Sequence, residues 1–447
     1  MRLRALLARL TGWYLTPRAA LVLAAPALVV VLVRGPAAGW TAFAWAVACA
    51  VAFAYDVREA VPPRELAWRR TLPPKLSIGV PNRVTLTVEN ATARLVRLSG
   101  RETPPPGFAG ARAIAPMMLE PGEVRELVFA YTPPARGRYE FGEVGVRSLG
   151  PWGLAGRAAR IPLTEEAKVY PDIQAVQSYA LLARKGALAE MGIKRMRMAG
   201  EGTEFESLRE YLEGDSFRDI DWKATARRGR PIVRSFEAER SQTLVLAIDA
   251  GRLMTPRVGA LTKLDRAVNA ALLLAYLGIE RGDLVGLLVF GRDVERYVAP
   301  RKGHRQFLAI LEALYSVEGR VEEPDYERAM RFLAAKLPRR SLVAVFTDLV
   351  GAEPSRRFLS TLGAMATRHL PLVITQRDRA VEAVSRKDVR TEADAFESAV
   401  ATSLLADKAA ALRTLSARGS LALDVFPEEL SVAAVNRYLE VKARGRL

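Results

Sequence analysis

The sequence predicts a multi-domain membrane protein with an α-helical transmembrane hairpin, an all-β sandwich of immunoglobulin or fibronectin type, and a doubly wound α/β domain. Three changes of pattern along the chain predict it. Two uncharged apolar segments come first, short alternating runs separated by Gly, Pro and Asn follow, and apolar strands then alternate with amphipathic helices. At ~150 residues per domain, 447 residues leave room for two or three folded units.

Residues 1–70 form the predicted hairpin, with membrane spans at 19–33 and 37–55. At 1.5 Å per residue the second span reaches about 28 Å, close to the ~30 Å thickness of the hydrocarbon layer. The first span is short unless the arginines at its ends snorkel. A cleaved signal peptide is the alternative for this first segment, but a second apolar segment directly behind it favours a hairpin anchor.

Positive charge predicts the orientation of this hairpin. The turn between the spans carries only Arg34, whereas eight arginines flank the hairpin: Arg2, Arg4, Arg9, Arg18, Arg58, Arg64, Arg69 and Arg70. We therefore expect a multi-pass protein of the bacterial inner membrane whose two ends and soluble domains face the cytoplasm. The single cysteine, Cys49, excludes an intrachain disulfide and agrees with this location.

Residues 73–171 show the alternation of a β-sandwich, for example Val84, Leu86 and Val88. We expect this domain to act as a spacer or docking module. Residues 172–241 form a connector followed by a densely charged stretch, Gly200 to Glu239. In that stretch Thr203 and Glu206 suggest a capping box, and apolar residues repeat at three and four, so we predict a helix, then a turn, then a strand from Ile232 to Phe236.

The charged stretch has two interpretations: an ion-pair network that fixes a connector between domains, or a surface that docks a partner. We expect Arg209 and Trp222 to be structural within it. The candidate partner-binding residues are Arg209, Asp215, Arg218, Asp219, Asp221, Trp222, Arg227 and Arg228.

The order G-x-E-F-x-x-L-R-E-Y-x-x-G-D-x-x-R-x-I-D-W-x-x-x-A-R from Gly202 to Arg227 resembles the signature of a bacterial family, domain of unknown function 58. The resemblance extends upstream to Arg136, Gly137 and Tyr139 and to residues 150–154, where Gly150 and Trp152 replace the usual Asp and Phe. The family has no established reaction. Its members are often encoded near a MoxR-type AAA+ ATPase, which implies such an ATPase as a partner in assembling or remodelling proteins at the membrane.

Residues 242–447 form the predicted α/β domain, in which Asp249 and Asp348 each follow a buried strand. This arrangement resembles a von Willebrand factor A domain, whose D-x-S-x-S loop, distant Thr and second Asp hold a divalent cation. Here Gly251 and Leu253 replace the two serines, the Thr is not identifiable, and Arg252 adds positive charge. We therefore expect no metal or other cofactor, and expect both aspartates to cap helices or bond local backbone amides; Mg²⁺ at Asp249 and Asp348 is the alternative.

Composition and motifs exclude most enzyme classes. Two histidines and one cysteine cannot supply a Cys- or His-rich metal site, and no phosphate-binding loop, dinucleotide fingerprint or nucleophile elbow is present. The net charge of +17 comes without a basic run interleaved with aromatics, so we expect no nucleic-acid partner.

The sequence thus predicts a non-enzymatic scaffold or adaptor in the membrane, held in the bilayer by two spans and working with a MoxR-type AAA+ ATPase and other membrane proteins. A metal-dependent adhesive receptor and a nucleic-acid or anionic-lipid binder are the alternatives.

Overall fold

The computed structural model describes residues 12–32, 36–184, 192–193, 204–212, 217, 220–237, 241–349 and 352–445. Within them the protein is mixed α/β with several separate sheets. It divides into two compact units, residues 1–169 and 170–447, which we describe separately.

The first unit begins with strand β1 and two helices, α1 and α2, and continues almost entirely as strands. The bounds are β1 Trp13–Leu15, α1 Pro17–Leu32, α2 Pro36–Glu59, β2 Ala67–Thr71, β3 Leu76–Ser77, β4 Asn82–Glu89, β5 Val96–Arg101, β6 Ala113–Leu119, β7 Val124–Tyr131, β8 Gly137–Phe141, β9 Val144–Leu149, β10 Ala155–Ile161 and β11 Glu165–Tyr170.

Among the described residues, one helical stretch is long and apolar enough to cross a membrane; it runs over Gly39–Glu65 and includes most of α2. The segment predicted as the first span forms α1, whose 16 residues extend about 24 Å, less than a typical ~20-residue span needs. The indole Nε1 of Trp45 donates to the carbonyl of Val22 at 3.0 Å, so the two helices are in contact.

Three sheets make up the rest of this unit, in the orders β1-β10-β9-β5-β6, β2-β4-β7 and β3-β11-β8. Strand β4 buries Val84, Leu86 and Val88 on one face, as the alternation predicts. A buried ion pair joins Arg70 Nη2 to Glu102 Oε1 at 2.6 Å, and Arg70 also lies over the ring of Phe141. Burial raises the pKa of Glu102 even though Arg70 opposes this shift.

Asp56, in the last turn of α2, joins that helix to the sheet. Its carboxylate is fully buried and accepts three backbone N–H groups, from Trp152 at 2.8 Å and from Leu154 and Ala155 at 2.7 Å. The Ser148 hydroxyl reaches the carbonyl of Val61 at 2.6 Å just beyond the helix. The helix end therefore has a fixed attachment to the β9–β10 hairpin.

The described part of the second unit contains a first helix, two small two-stranded sheets and a large α/β layer. Its bounds are α3 Ile173–Arg184, β12 Glu204–Glu210, α4 Trp222–Arg228, β13 Ile232–Glu237, β14 Thr243–Asp249, β15 Arg257–Val258, β16 Leu261–Thr262, α5 Lys263–Glu280, β17 Leu284–Phe290, β18 Val294–Arg301, α6 His304–Tyr315, α7 Tyr326–Lys336, β19 Leu342–Phe346, α8 Ala352–Ala366, β20 Leu370–Gln376, α9 Arg379–Ser385, α10 Glu392–Ala417, β21 Leu421–Val425 and α11 Leu430–Ala443.

The six-stranded sheet of this unit has helices on both faces. Alternate residues of β14 divide between two cores: Leu244, Leu246 and Ile248 pack with α5, α6 and α11, whereas Val245 and Ala247 pack with α7, α8 and α10. Strands buried on both faces read as continuous apolar runs, which is why β14, β17, β19 and β20 were predictable from sequence.

Candidate functional site

The sheet of the second unit has a topological switch point at the carboxyl ends of β14 and β19. Its strand order is β18-β17-β14-β19-β20-β21, and all neighbours are parallel except β17 and β18. The chain leaves β14 toward β17 on one side and later returns to β19 on the other. Open α/β sheets bind ligands at such a point, and Asp249 and Asp348 both lie there.

Asp249, the last residue of β14, is fully buried, and hydrogen-bond donors surround its carboxylate. Oδ1 accepts the backbone N–H of Gly251 at 2.7 Å, while Oδ2 accepts the hydroxyls of Thr347 at 2.6 Å and Tyr326 at 3.1 Å. Burial raises the pKa of Asp249 to about 6, although these three hydrogen bonds oppose the shift. Burial, and after it the proximity of Asp249, raise the pKa of the Tyr326 phenol well above its usual value.

Asp348 binds two lysine ammonium groups. Its Oδ2 lies 2.6 Å from Lys263 Nζ, and its Oδ1 lies 3.0 Å from Lys408 Nζ and accepts the backbone N–H of Leu349 at 2.9 Å. Lys408 Nζ also contacts Asp424 Oδ1 at 3.0 Å and donates to the carbonyl of Gln376 at 2.6 Å. Two lysines and two aspartates therefore form one ionic network, which we call the strand-end network: Lys263, Asp348, Lys408 and Asp424.

These residues do not fit a divalent cation. Asp249 and Asp348 both accept local backbone amides, as predicted, and their remaining lone pairs face hydroxyls or ammonium groups. A β-carbon at Gly251 would meet Pro324 Cδ at 2.8 Å and Asp249 Oδ1 at 3.0 Å, so a serine has no room there. Leu253 lies in a short 3₁₀ helix, and Arg252 is exposed and pairs with Glu323. The described residues contain no group of three or more His, Cys, Asp or Glu with metal-binding geometry.

Sequence reasoning missed Thr347, Tyr326, Lys263 and Lys408. One signal was available for Lys263, because it is the first residue of α5, after the Thr262 cap, where the helix dipole disfavours positive charge. A lysine buried at that position needs a carboxylate partner. Lys408 lies within the long helix α10 and offered no comparable signal.

The charged stretch forms a strand where the sequence predicted a helix. Strand β12 pairs antiparallel with β13, and an irregularity between Phe205 and Ser207 shifts the register. Phe205 pairs with Phe236 and Leu208 with Arg234, so two residues spaced by three lie opposite partners spaced by two. A bulge of this kind reproduces the i, i+3 repeat of a helix, which explains the wrong prediction. The strand over Ile232–Glu237 was predicted correctly.

The structure places five of the eight candidate partner-binding residues; Asp215, Arg218 and Asp219 lie outside the described residues. Arg209, which we expected to be structural, instead lies exposed on β12, with its guanidinium donating to the carbonyl of Glu210. Asp221 caps α4 by accepting the N–H of Ala224 at 2.9 Å. Arg227 and Arg228 occupy the last turn of α4, both exposed.

Trp222 corrects a prediction, because its side chain is 68% exposed and does not pack as a structural anchor. Leu212 and Phe217, on the same segment, are 65% and 73% exposed. The ring of Phe217 lies 5.5 Å from that of Tyr211. We call Leu212, Phe217, Trp222, Arg227 and Arg228 the exposed signature face.

Comparison with known proteins confirms the resemblance that the charged stretch indicated. Residues 207–411 match the family model described as "Protein of unknown function DUF58". The chain is similar to the uncharacterized protein Rv1480 of Mycobacterium tuberculosis, with 26% identity over 264 residues, which is 56% of this chain and 82% of the relative. It is also similar to the uncharacterized protein YeaD of Bacillus subtilis, with 30% identity over 139 residues, which is 31% of this chain and 34% of that relative.

Among solved structures, the conserved hypothetical protein BatB from Bacteroides thetaiotaomicron aligns over 45% of this chain and 99% of its own, with 14% identity and a TM-score of 0.29. A fragment of alpha-2-macroglobulin from Escherichia coli covers 25% of this chain and 17% of its own, with 20% identity and a TM-score of 0.21. At these TM-scores neither likeness carries an argument about fold or function.

Proposed function

We propose that this protein is a membrane-anchored scaffold or adaptor that binds a protein partner through the exposed signature face. The observation that carries the proposal is the exposure of Leu212, Phe217 and Trp222, each about two-thirds or more accessible, within one short segment. Large apolar side chains that are exposed within a short stretch of chain are candidates for a binding site. Trp and Arg are also the residue types that contribute most to protein interfaces.

The charge of this face gives the chemistry of the partner. Arg227 and Arg228 are exposed at the carboxyl end of α4. Arg230, two residues further, is already paired with Glu210 at 2.6 Å. An acidic surface with an apolar pocket for Trp222 would complement this face.

One feature of the second unit supports a non-enzymatic role. The carboxylates at the switch point are engaged by Lys263, Lys408, Thr347 and Tyr326, so the position where α/β proteins bind ligands is filled by the protein's own side chains. Because these contacts occupy the carboxylate oxygens, they also argue against a metal-dependent receptor.

We also propose a fold for each of the two units and a membrane anchor. The strand order of the second unit and the grouping of Asp249, Thr347 and Asp348 support a von Willebrand A-like domain, and the alternating strands of the first unit support an immunoglobulin-like sandwich. The apolar helix over Gly39–Glu65 supports a membrane anchor. We further propose that α1 completes a two-span hairpin, that the soluble units face the cytoplasm, and that the partner is a MoxR-type AAA+ ATPase, as the family resemblance implies.

A binding titration tests this function. The full chain in lipid nanodiscs is titrated with a purified MoxR-type AAA+ ATPase from the same cells, comparing wild type with Trp222→Ala and with Arg227→Ala/Arg228→Ala. Loss of a central Trp contact of ≥2 kcal/mol should raise Kd roughly 30-fold. Phe396→Ala is the matched control, because Phe396 is an equally exposed aromatic on α10. If Kd were unchanged in both Trp222→Ala and Arg227→Ala/Arg228→Ala, or if Phe396→Ala raised Kd equally, the exposed signature face would not be the binding site.

A further inference from the structure

We propose that Trp152 and Tyr55, together with Arg18 and Arg97, form a second membrane contact that sits among the phospholipid headgroups beside the helix anchor. This inference rests on the proposed membrane anchor, and it adds the hairpin loop between β9 and β10 to the lipid-binding surface. We call these four residues the interfacial collar.

The exposure of α2 marks where the bilayer would end. The exposed large apolar residues of this helix run from Trp40 through Phe43, Trp45, Val47 and Val51 to Tyr55. Asp56, Arg58 and Glu59 follow immediately. From Trp40 to Tyr55 the helix rises about 22 Å, most of the ~30 Å hydrocarbon thickness. Tyr55 therefore lies at the boundary between lipid and water, where Trp and Tyr are enriched.

Trp152 lies at the same level as Tyr55. Their ring centroids are 4.9 Å apart, and the indole, on the loop of the β9–β10 hairpin, is still 55% exposed. An exposed tryptophan next to the apolar face of a membrane helix extends that face sideways. Its amphipathic ring is suited to the headgroup layer.

Two arginines lie beside the same loop. Arg97 Nη1 donates to the carbonyl of Pro151 at 3.1 Å, and Arg18 Nη1 comes within 3.8 Å of the position that a β-carbon at Gly153 would take. Arg18 is exposed and precedes the apolar part of α1. Arginines at this depth can bind lipid phosphates while aromatic rings sit beside them.

Asp56 acts as the positioning residue of the collar. Its buried carboxylate holds the N–H groups of Trp152, Leu154 and Ala155, so the loop is fixed to the last turn of the helix. These hydrogen bonds therefore fix the position of Trp152 along the axis of α2.

Fluorescence quenching by brominated lipids tests the collar. The full chain is reconstituted in vesicles of three parts phosphatidylcholine to one part phosphatidylglycerol, with bromines placed either near the headgroup end of the acyl chains or near their tips. Subtracting the emission of Trp152→Phe from that of wild type isolates the signal of Trp152 without further substitutions. Trp45→Phe isolates in the same way the signal of an indole on the helix itself.

We expect shallow bromines to quench the Trp152 signal by about half and deep bromines to quench it less, as for an interfacial aromatic. If aqueous acrylamide but no brominated lipid quenched the Trp152 signal, while bromine quenched that of Trp45, the interfacial collar would be refuted. The proposed membrane anchor would be supported. If bromine quenched neither the Trp152 nor the Trp45 signal, the proposed membrane anchor would also be refuted. In Asp56→Ala vesicles the shallow quenching of Trp152 should decrease while that of Trp45 is kept, and an unchanged ratio would remove Asp56 from its positioning role.

Discussion

The carboxylate of Asp56 occupies the space beside the Cα of Gly150. A β-carbon at residue 150 would lie 2.3 Å from Asp56 Oδ1 and 2.4 Å from its carbonyl oxygen, so only glycine fits there. The pattern that this chain resembles has an aspartate at that position. Here a carboxylate reaches the loop from helix α2 and accepts its amides, which accounts for the departure at Gly150.

This relationship predicts a large effect of Asp56→Ala. The substitution leaves three N–H groups without their acceptor, one of them buried and two partly buried. A buried unsatisfied donor costs about 1–3 kcal/mol, so we expect the free energy of unfolding to fall by about 3 kcal/mol. Chemical denaturation of the full chain in detergent measures it. Glu59→Ala is the control, since the partly exposed Glu59 pairs with the exposed Arg94 at 3.5 Å. Equal stability of Asp56→Ala and wild type would contradict this role of the Asp56 carboxylate.

The strand-end network predicts strong coupling between Lys263 and Asp348. Lys263→Met leaves the strand-end network with one ammonium, Lys408, for the two carboxylates of Asp348 and Asp424. Losing one partner of a buried ion pair costs about 3–5 kcal/mol, and because Lys408 still contacts Asp348 we expect a fall in unfolding free energy toward the lower end of that range. The double variant Lys263→Met/Asp348→Leu should be more stable than Lys263→Met alone, because Lys408 and Asp424 then balance each other. Arg328→Met is the control, because Arg328 pairs with Asp293 at the surface. Additive effects in the double-mutant cycle would show that the two groups act independently.

Buried strands and strand-end aspartates could be read from the sequence, whereas side-chain partners from distant elements could not. Asp249 and Asp348 stand out because each ends an apolar run. Lys408 is 60 positions beyond Asp348 in the printed sequence and reaches it only after α10 has packed on the sheet. The helix predicted over β12 failed for a local reason, since a bulge placed Phe205 and Leu208 at helical spacing. Exposure of Trp222 depends on tertiary packing, which periodicity does not encode.

We expect millimolar Mg²⁺ or Mn²⁺ to leave the melting temperature of the full chain unchanged within about 1 °C. A ligand that binds the folded state stabilises it by mass action, and the oxygens of Asp249 and Asp348 already have donors or ammonium groups against them. Differential scanning fluorimetry in detergent, with and without the cation, measures the shift. A rise of several degrees that Asp249→Ala abolishes would establish a cation site and contradict this expectation.

The pKa of Asp249, raised to about 6 by burial, predicts a pH-dependent contribution to stability. Well below pH 4 this carboxyl is protonated in both the folded and the unfolded chain, so its burial does not lower the free energy of unfolding through proton linkage. As pH rises from about 4 to 6 the unfolded chain loses the proton first, which favours unfolding, and above about pH 6 the penalty levels off near 3 kcal/mol. Asn cannot titrate, its carbonyl can still accept the N–H of Gly251, and its amide can donate to the hydroxyl oxygens of Thr347 and Tyr326.

The free energy of unfolding of Asp249→Asn should therefore be closest to that of wild type, or exceed it, near pH 7 and above. As pH falls toward 4, wild type should become increasingly more stable than the variant. Urea unfolding at half-unit pH steps gives the difference between the two proteins, which should change by about 2 kcal/mol between pH 4 and 7. Asp293→Asn serves as the exposed control, since its carboxyl is largely accessible. A difference that stays constant from pH 4 to 7, or that changes in the opposite direction because the folded state holds Asp249 ionised more strongly than the unfolded chain does, would refute the raised pKa.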